Sequence, residues 1–261
     1  MADLPILFSA PMVRALIDGT KTQTRRVINF PGVDKVIDFV PVGTDKRGRR
    51  VFEMKGANGR HLTRPAGRDF VEYQYWPPIA VGDRLWVRES ITRFDKGTCD
   101  QHIWYRAGHN LTGMPAESYY HRLGVGSDEQ WPTGKEGPGG GAPYSVPSIF
   151  MPKWASRITL VVESVKIERL QDISEEDAIA EGIEPVYDYR SPGETHWKDY
   201  ECYPDKTPHA YAVVPFKLPS RSYCSLWEEI NGHGSWAENP WVVAYTFRRI
   251  MDNIDQIGGD Q

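Results

Sequence analysis

Apolar residues occur along this chain in short blocks, each at a spacing that predicts one element. Ile6 to Phe8 is an apolar run of strand type. Ser9 stands where it can cap a helix with Pro11 in the first turn. Met12, Val13, Leu16 and Ile17 then make an apolar stripe, and Gly19 ends the helix. Lys21 to Val27 alternates as a strand. Val81 to Glu89 reads as a turn at Gly82-Asp83 feeding a strand, with His102 to Ala107 as its partner. Trp154 to Leu170 is the longest β-rich run. Ser174, with Asp177 three places on, makes a capping-box-like start to a short helix ending at Gly182. Ser220 or Ser222 opens a third helix that carries Leu226, Trp227 and Ile230 and stops at Asn231-Gly232. Trp241 to Ile250 is the closing strand.

Between these blocks the pattern lapses. Residues 43–78, 108–147 (with the Gly-rich run 137–141) and 184–220 read as long insertions. Short strands, three helices and no regular βαβ alternation predict an α+β fold. The expected form is a small twisted barrel decorated by helices, without internal repeats.

The chain has 261 residues and is 40% hydrophobic, enough for one sizeable core. Apolar runs such as Ile158 to Val162 are far too short to span a bilayer. The opening Met-Ala-Asp-Leu-Pro lacks the basic stretch and apolar run of a secretory leader, so a cytoplasmic location without membrane attachment is expected. Three dispersed cysteines (Cys99, Cys202, Cys224) argue against a disulfide framework and a zinc ribbon, and Cys224 reads as packing. Net charge is −4, but Lys46 to Arg68 holds eight basic residues against Glu53 alone. That 46–68 stretch is either a solvated loop or a face for RNA.

Chemistry is sparse. No two histidines share metal-ligand spacing, and there is no phosphate-binding loop, nucleophile elbow or dinucleotide fingerprint, so neither metal nor cofactor is expected. The informative segment is Gly19 to Arg26, G-T-K-T-Q-T-R-R. It suits an edge strand, where lysine and threonine are at home. It also offers Lys21 and Thr24 as a base and a nucleophile, since a threonine hydroxyl is inert until its proton is removed. Residues three apart on a regular strand face opposite ways, so that pairing requires irregular backbone. Glu181 falls in the last turn of the acidic helix, where the helix dipole disfavours a carboxylate and a nearby cation would compensate.

The helix ending at Gly19 before K-T-Q-T-R-R, then V-G-D-R-L-W-V-R-E, the long strand, L-Q-D-I-S-E-E-D-A-I-A-E-G and a last F-R-R-I strand together resemble the ASCH domain of the PUA-like superfamily. The resemblance covers roughly residues 4–42, 79–107, 147–183 and 222–250. It implies one domain over 1–250, with insertions like those of larger phage-associated members, and a polar tail over 251–261. It further implies a small, mostly antiparallel PUA-like β-barrel with short helices at its rim that binds RNA or modified bases. Some ASCH members are amidohydrolases that cleave N4-acylcytidine with a Lys, a Thr and a Glu, which fall here on Lys21, Thr24 and Glu181.

Such chemistry needs an aromatic platform and polar groups for the base. Trp86, Trp154, Trp236 and Trp241 are the candidate platforms, with Phe8 and Ser9 at the first strand's end and Arg26 or Arg88 to donate to a carbonyl. Phe150-Met151-Pro152-Lys153-Trp154 is the preferred rim element, placing Lys153 and Trp154 at the mouth. Two function classes follow: an amidohydrolase with a nucleoside substrate, and a non-catalytic RNA or modified-base reader. A ribonuclease is a weaker third.

Overall fold

The computed structural model describes residues 1–29, 36–66, 68–95, 101–105, 107, 144–188, 191–201 and 215–257. Most of the expected insertion at 108–147, part of that at 184–220, Cys99, Cys202 and the end of the tail lie outside the described residues. In chain order the elements are β1 (Asp3–Leu7), α1 (Ala10–Asp18), β2 (Gln23–Val27), β3 (Asp38–Thr44), β4 (Arg50–Lys55), β5 (Thr63–Ala66), β6 (Asp69–Glu72), β7 (Gln74–Tyr75), β8 (Arg84–Arg88), β9 (Ile91–Asp95), β10 (Gln101–Tyr105), β11 (Tyr144–Val146), β12 (Thr159–Arg169), α2 (Glu175–Ala180), β13 (Pro185–Val186), β14 (His196–Trp197), α3 (Pro219–Asn231) and β15 (Trp241–Ile250). The chain divides into two compact units. The first comprises Thr20–Asp83 and Val162–Arg248, with Met1; the second comprises Ala2–Gly19, Arg84–Val161 and Arg249–Gln261.

In the second unit, α1 forms as its stripe predicts, with Val13 and Leu16 fully buried. Ser9 holds the N-cap position without a side-chain capping bond, and Pro11 sets the first turn. Gly19 closes the helix at φ +82°, the left-handed conformation that glycine adopts without strain. Arg249 donates to the carbonyls of Leu16 and Ile17 and lies so close to Gly19 that a Cβ there would meet it at 2.7 Å. β1 runs parallel to β8 (Ile6 opposite Val87), and the other edge of β8 takes the start of β12 antiparallel (Trp86 opposite Thr159). The expected pairing of His102–Ala107 with the β8 strand does not occur. Both edges of β8 are taken, and β10 instead pairs with β9, closing a shorter loop. The strand expected from Trp154 starts at Thr159, because Pro152 leads into a 3-10 turn over Lys153–Ala155.

In the first unit, β15 lies between β12 and β2, with Ala244 opposite Arg25. Val242, Val243, Ala244, Tyr245 and Phe247 of β15 are buried. α2 and α3 pack against this sheet through a core of Leu170, Ile173, Ala178, Ile183, Tyr223, Trp227 and Val242. The Ser174 hydroxyl accepts the Asp177 N–H, the cap read from the sequence. α3 opens at Pro219, earlier than either serine expected to open it, because proline suits the first helical position. Glu175 of α2 supplies the missing cap by accepting the backbone N–H and hydroxyl of Ser220 at 2.8 and 2.6 Å.

The stretch 43–78 is not a loop. β3, β4 and β7 form an antiparallel sheet, and β5 and β6 a separate hairpin. Phe39, Phe52 and Met54 point inward, with Phe39 edge-on to Trp241 at 4.8 Å. Strands of two to seven residues, with a register shift between Pro41 and Gly43, carry too little alternation to stand out.

The architecture is α+β with mostly antiparallel pairing. The strand order is β1-β8-β12 in the second unit and β12-β15-β2 in the first. β1 and β2 end that order, and no closed barrel is found among the described residues, in contrast to the closed sheet expected. No helix of the described residues is long and apolar enough to cross a membrane.

Candidate functional site

The chain entering β2 is held on two sides. Thr22 donates its N–H to the Ala180 carbonyl at the end of α2 (2.8 Å), while its own carbonyl accepts the Phe247 N–H of β15 (2.9 Å). Lys21 and Glu181 thereby face one another as an isolated antiparallel bridge. Two-residue alternation then turns Lys21, Gln23 and Arg25 toward the same acidic neighbours.

Lys21 is fully buried and donates from Nζ to the Glu181 carboxylate (Oε2, 2.7 Å) and main-chain carbonyl (2.8 Å). It therefore serves both the charge and the open end of α2. Arg25 donates to Glu181 Oε1 (3.1 Å), Glu168 Oε1 (2.7 Å) and Asp177 Oδ2 (2.9 Å). Gln23 links Arg25 to Asp177, accepting from the first and donating to the second. Lys166 adds a third cation on Glu168 at 2.5 Å, so three cations meet three carboxylates. This matching is what lets so much charge be buried, since an unpartnered ion in the interior costs several kcal/mol, about 3–5 when one partner of a buried pair is removed. It also explains how Glu181 is tolerated at a helix C-terminus.

Burial pulls the Lys21 amine below its ordinary range, against the opposing pull of Glu181; the charges of Arg26 and Arg25 lower it further. The two N–H bonds to Glu181 are ones that a neutral amine can still make. Loss of the proton thus creates a lone pair without sacrificing either bond.

Thr24 sits on β2 opposite Tyr245 and is 2% exposed. Among the described residues no hydrogen bond engages its hydroxyl, with Lys21 or otherwise. Alternation sets Thr24 and the exposed Arg26 on the face of β2 opposite Gln23 and Arg25. The structure therefore brings Lys21 and Glu181 together and leaves Thr24, three residues from Lys21, with no side-chain hydrogen bond among the described residues. Sequence reasoning missed Arg25, Gln23, Glu168 and Asp177. The i, i+2, i+4 series Lys21, Gln23, Arg25 was the available signal.

The remaining candidates lie in the second unit. Phe8 is buried in its core, whereas Ser9 is exposed at the head of α1. Arg88 covers the half-buried Trp86 ring at 5.1 Å and donates to the Ile149 carbonyl. Lys153 is held by Asp255 (2.5 Å) and Asp3 (3.5 Å), and Trp154 is 49% exposed. The same unit buries a second ion pair, Arg157 with both oxygens of Glu89 (2.7 and 2.9 Å), over the Tyr105 ring. In the first unit, Trp241 is occupied by Arg169 at 4.4 Å and by Phe39, and Trp236 packs on Tyr223.

Two other features belong to the first unit. Glu201, Glu228 and His233 approach one another at the surface, but the Glu228 oxygens already accept the N–H groups of Gly234 and Trp236. An open groove of ≈ 450 Å³ lies along β3, β4 and β7; none of Lys21, Thr24 and Glu181 lines it. Comparison with protein-family models, with curated proteins and with solved structures finds no match to this chain.

Proposed function

We propose that this chain is an amidohydrolase that removes the acyl group from N4-acylated cytosine nucleosides, on an ASCH-like, PUA-type scaffold. The observation that carries the reading is Lys21, sealed from solvent on Glu181 with its amine drawn toward the neutral form, three residues from a buried threonine whose hydroxyl makes no hydrogen bond among the described residues. The order of the K-T-Q-T-R-R and E-E-D-A-I-A-E-G segments adds the resemblance to ASCH amidohydrolases.

In the reaction, Thr24 Oγ1 forms a bond to the acyl carbon as its proton passes through a bridging water to Lys21 Nζ, since alternation sets the two side chains on opposite sides of the chain. The tetrahedral oxyanion is met by a cation, for which Arg26 on the Thr24 face of β2 is the candidate. Collapse breaks the carbon–nitrogen bond, and the Lys21 proton goes to the departing N4, giving cytidine and an acyl-threonine ester. Water then hydrolyses the ester, losing a proton to Lys21, and releases the carboxylate with Thr24 restored. Glu181 holds Lys21 in place and stabilises its charged form between the steps.

The test is release of cytidine and carboxylate from a panel of N4-acyl cytidines, followed by chromatography, for the wild type and for Thr24→Val. Because the hydroxyl has no hydrogen-bond partner among the described residues, Thr24→Val should shift the unfolding free energy by no more than about 0.5 kcal/mol while abolishing turnover. Absence of product across the panel, or full turnover by Thr24→Val, overturns the proposal.

A further inference from the structure

The described residues of 46–66 form strands and turns, and among them only Arg49 of the cations is ion-paired, while Lys46, Arg47, Arg50, Arg60 and Arg64 are exposed. Asp45 organises the turn between β3 and β4, accepting the N–H groups of Arg47 and Arg49 (2.8 and 2.9 Å) and pairing with the Arg49 guanidinium at 2.6 Å. That consumes the acid of the turn and leaves the Lys46 and Arg47 side chains exposed, with no ion pair among the described residues. Beside them opens the ≈ 450 Å³ groove, whose lining includes Val42, Lys46, Arg49 and Trp76. Trp76 is 43% exposed, with the Arg49 guanidinium 5.9 Å from its ring centroid, and Val42 is 46% exposed. Next in the chain, every residue of β5 and of β6 is exposed, Phe70 at 70%. A two-stranded hairpin that buries nothing is marginal alone in water. Here it carries Arg64 and leads through Arg68 to Phe70, repeating the cation-plus-aromatic composition of the groove.

We infer that the β3–β4–β7 groove binds single-stranded nucleic acid, with Trp76 as the platform for an unstacked base and Lys46 and Arg47 as phosphate contacts. Charge complementarity selects a polyanion: residues 46–68 carry +7, while the rest of the chain carries −11. The exposed indole with a guanidinium at its side selects a π-face over a carboxylate-bearing peptide, and every base has such a face. A duplex hides its base faces, which selects the single strand. This surface is independent of the Lys21 chemistry.

The test is fluorescence anisotropy of a short dye-labelled oligouridine titrated with the full chain over a range of salt, with the unfolding midpoint of each variant as the fold control. Trp76→Ala should weaken binding by about 5- to 150-fold with the salt slope unchanged, and Trp76→Phe should restore most of it. Replacing Lys46 and Arg47 together by alanine should flatten the slope of log K against log salt by about 1.4. Neither change should alter cytidine release from N4-acetylcytidine, so failure here and failure of the hydrolase reading are separable. Absence of salt-dependent binding, equal competition by duplex or polyglutamate, or indifference to Trp76→Ala overturns the inference.

Discussion

Lys21 is the side chain on which the proposed chemistry and the stability of the site both turn. Its folded-state pKa lies below that of the unfolded chain, because burial outweighs the pull of Glu181. Between the two values the unfolded state binds more protons, so the unfolding free energy rises with pH across that window and is lowest below it. Urea unfolding at a series of alkaline pH values should show this rise in the wild type and lose it in Lys21→Met. On the proposed mechanism the rate of N4-acetylcytidine cleavage should climb over the same window, since Lys21 must be neutral to accept the Thr24 proton. A stability profile identical in the two proteins would mean that Lys21 is not held as described. The pairing of Lys21 with Glu181 was legible in the sequence from residue type and motif order. The role of Arg25 was not: an arginine in an alternating stretch reads equally as outward-facing, and only the position of α2 makes its face the buried one.

Among the elements, α2 and α3 show how one segment completes another. Neither Ser220 nor Ser222 caps α3; Glu175 of α2 does so through space. Glu175→Ala should therefore destabilise the first unit by about 1 kcal/mol, the usual cost of a lost N-cap, measured by urea unfolding. Ser220→Ala, which keeps the backbone bond, should cost less. The local signals were sufficient for α1, for the Ser174 cap and for the existence of β2, β8, β12 and β15, because propensity and capping act within a few residues. They failed for β3 to β7, where a bulge and very short strands spoil the two-residue period, and for the partner of β8, which is a competition among distant edges.

Burial also predicts where the two units resist opening. Val242 to Tyr245 of β15 are buried between neighbours, whereas β5 and β6 are exposed along their whole length. Hydrogen–deuterium exchange read by mass spectrometry should find β15 amides exchanging only with global unfolding and those of Thr63–Glu72 exchanging far faster through local opening. Comparable protection of both would contradict this distribution. Binding of oligouridine should slow exchange in the β3–β4–β7 sheet and leave β15 unchanged.

Residue order alone settled what short-range physics controls. Helix α1 ends where Gly19 takes a left-handed conformation, α2 begins at a serine cap, and the alternation of 21–27 commits that stretch to a strand. It also placed an amine, a hydroxyl and an acid on the motifs that carry the proposed chemistry. Folding in three dimensions decided which of these meet. Lys21 reaches Glu181 across 160 positions because the end of α2 packs against the entry to β2, while Thr24 is turned away by the two-residue period of the same strand. Contacts of that separation depend on which edges and helix ends are left to pair once every other element has packed, and no window of neighbouring residues contains that information.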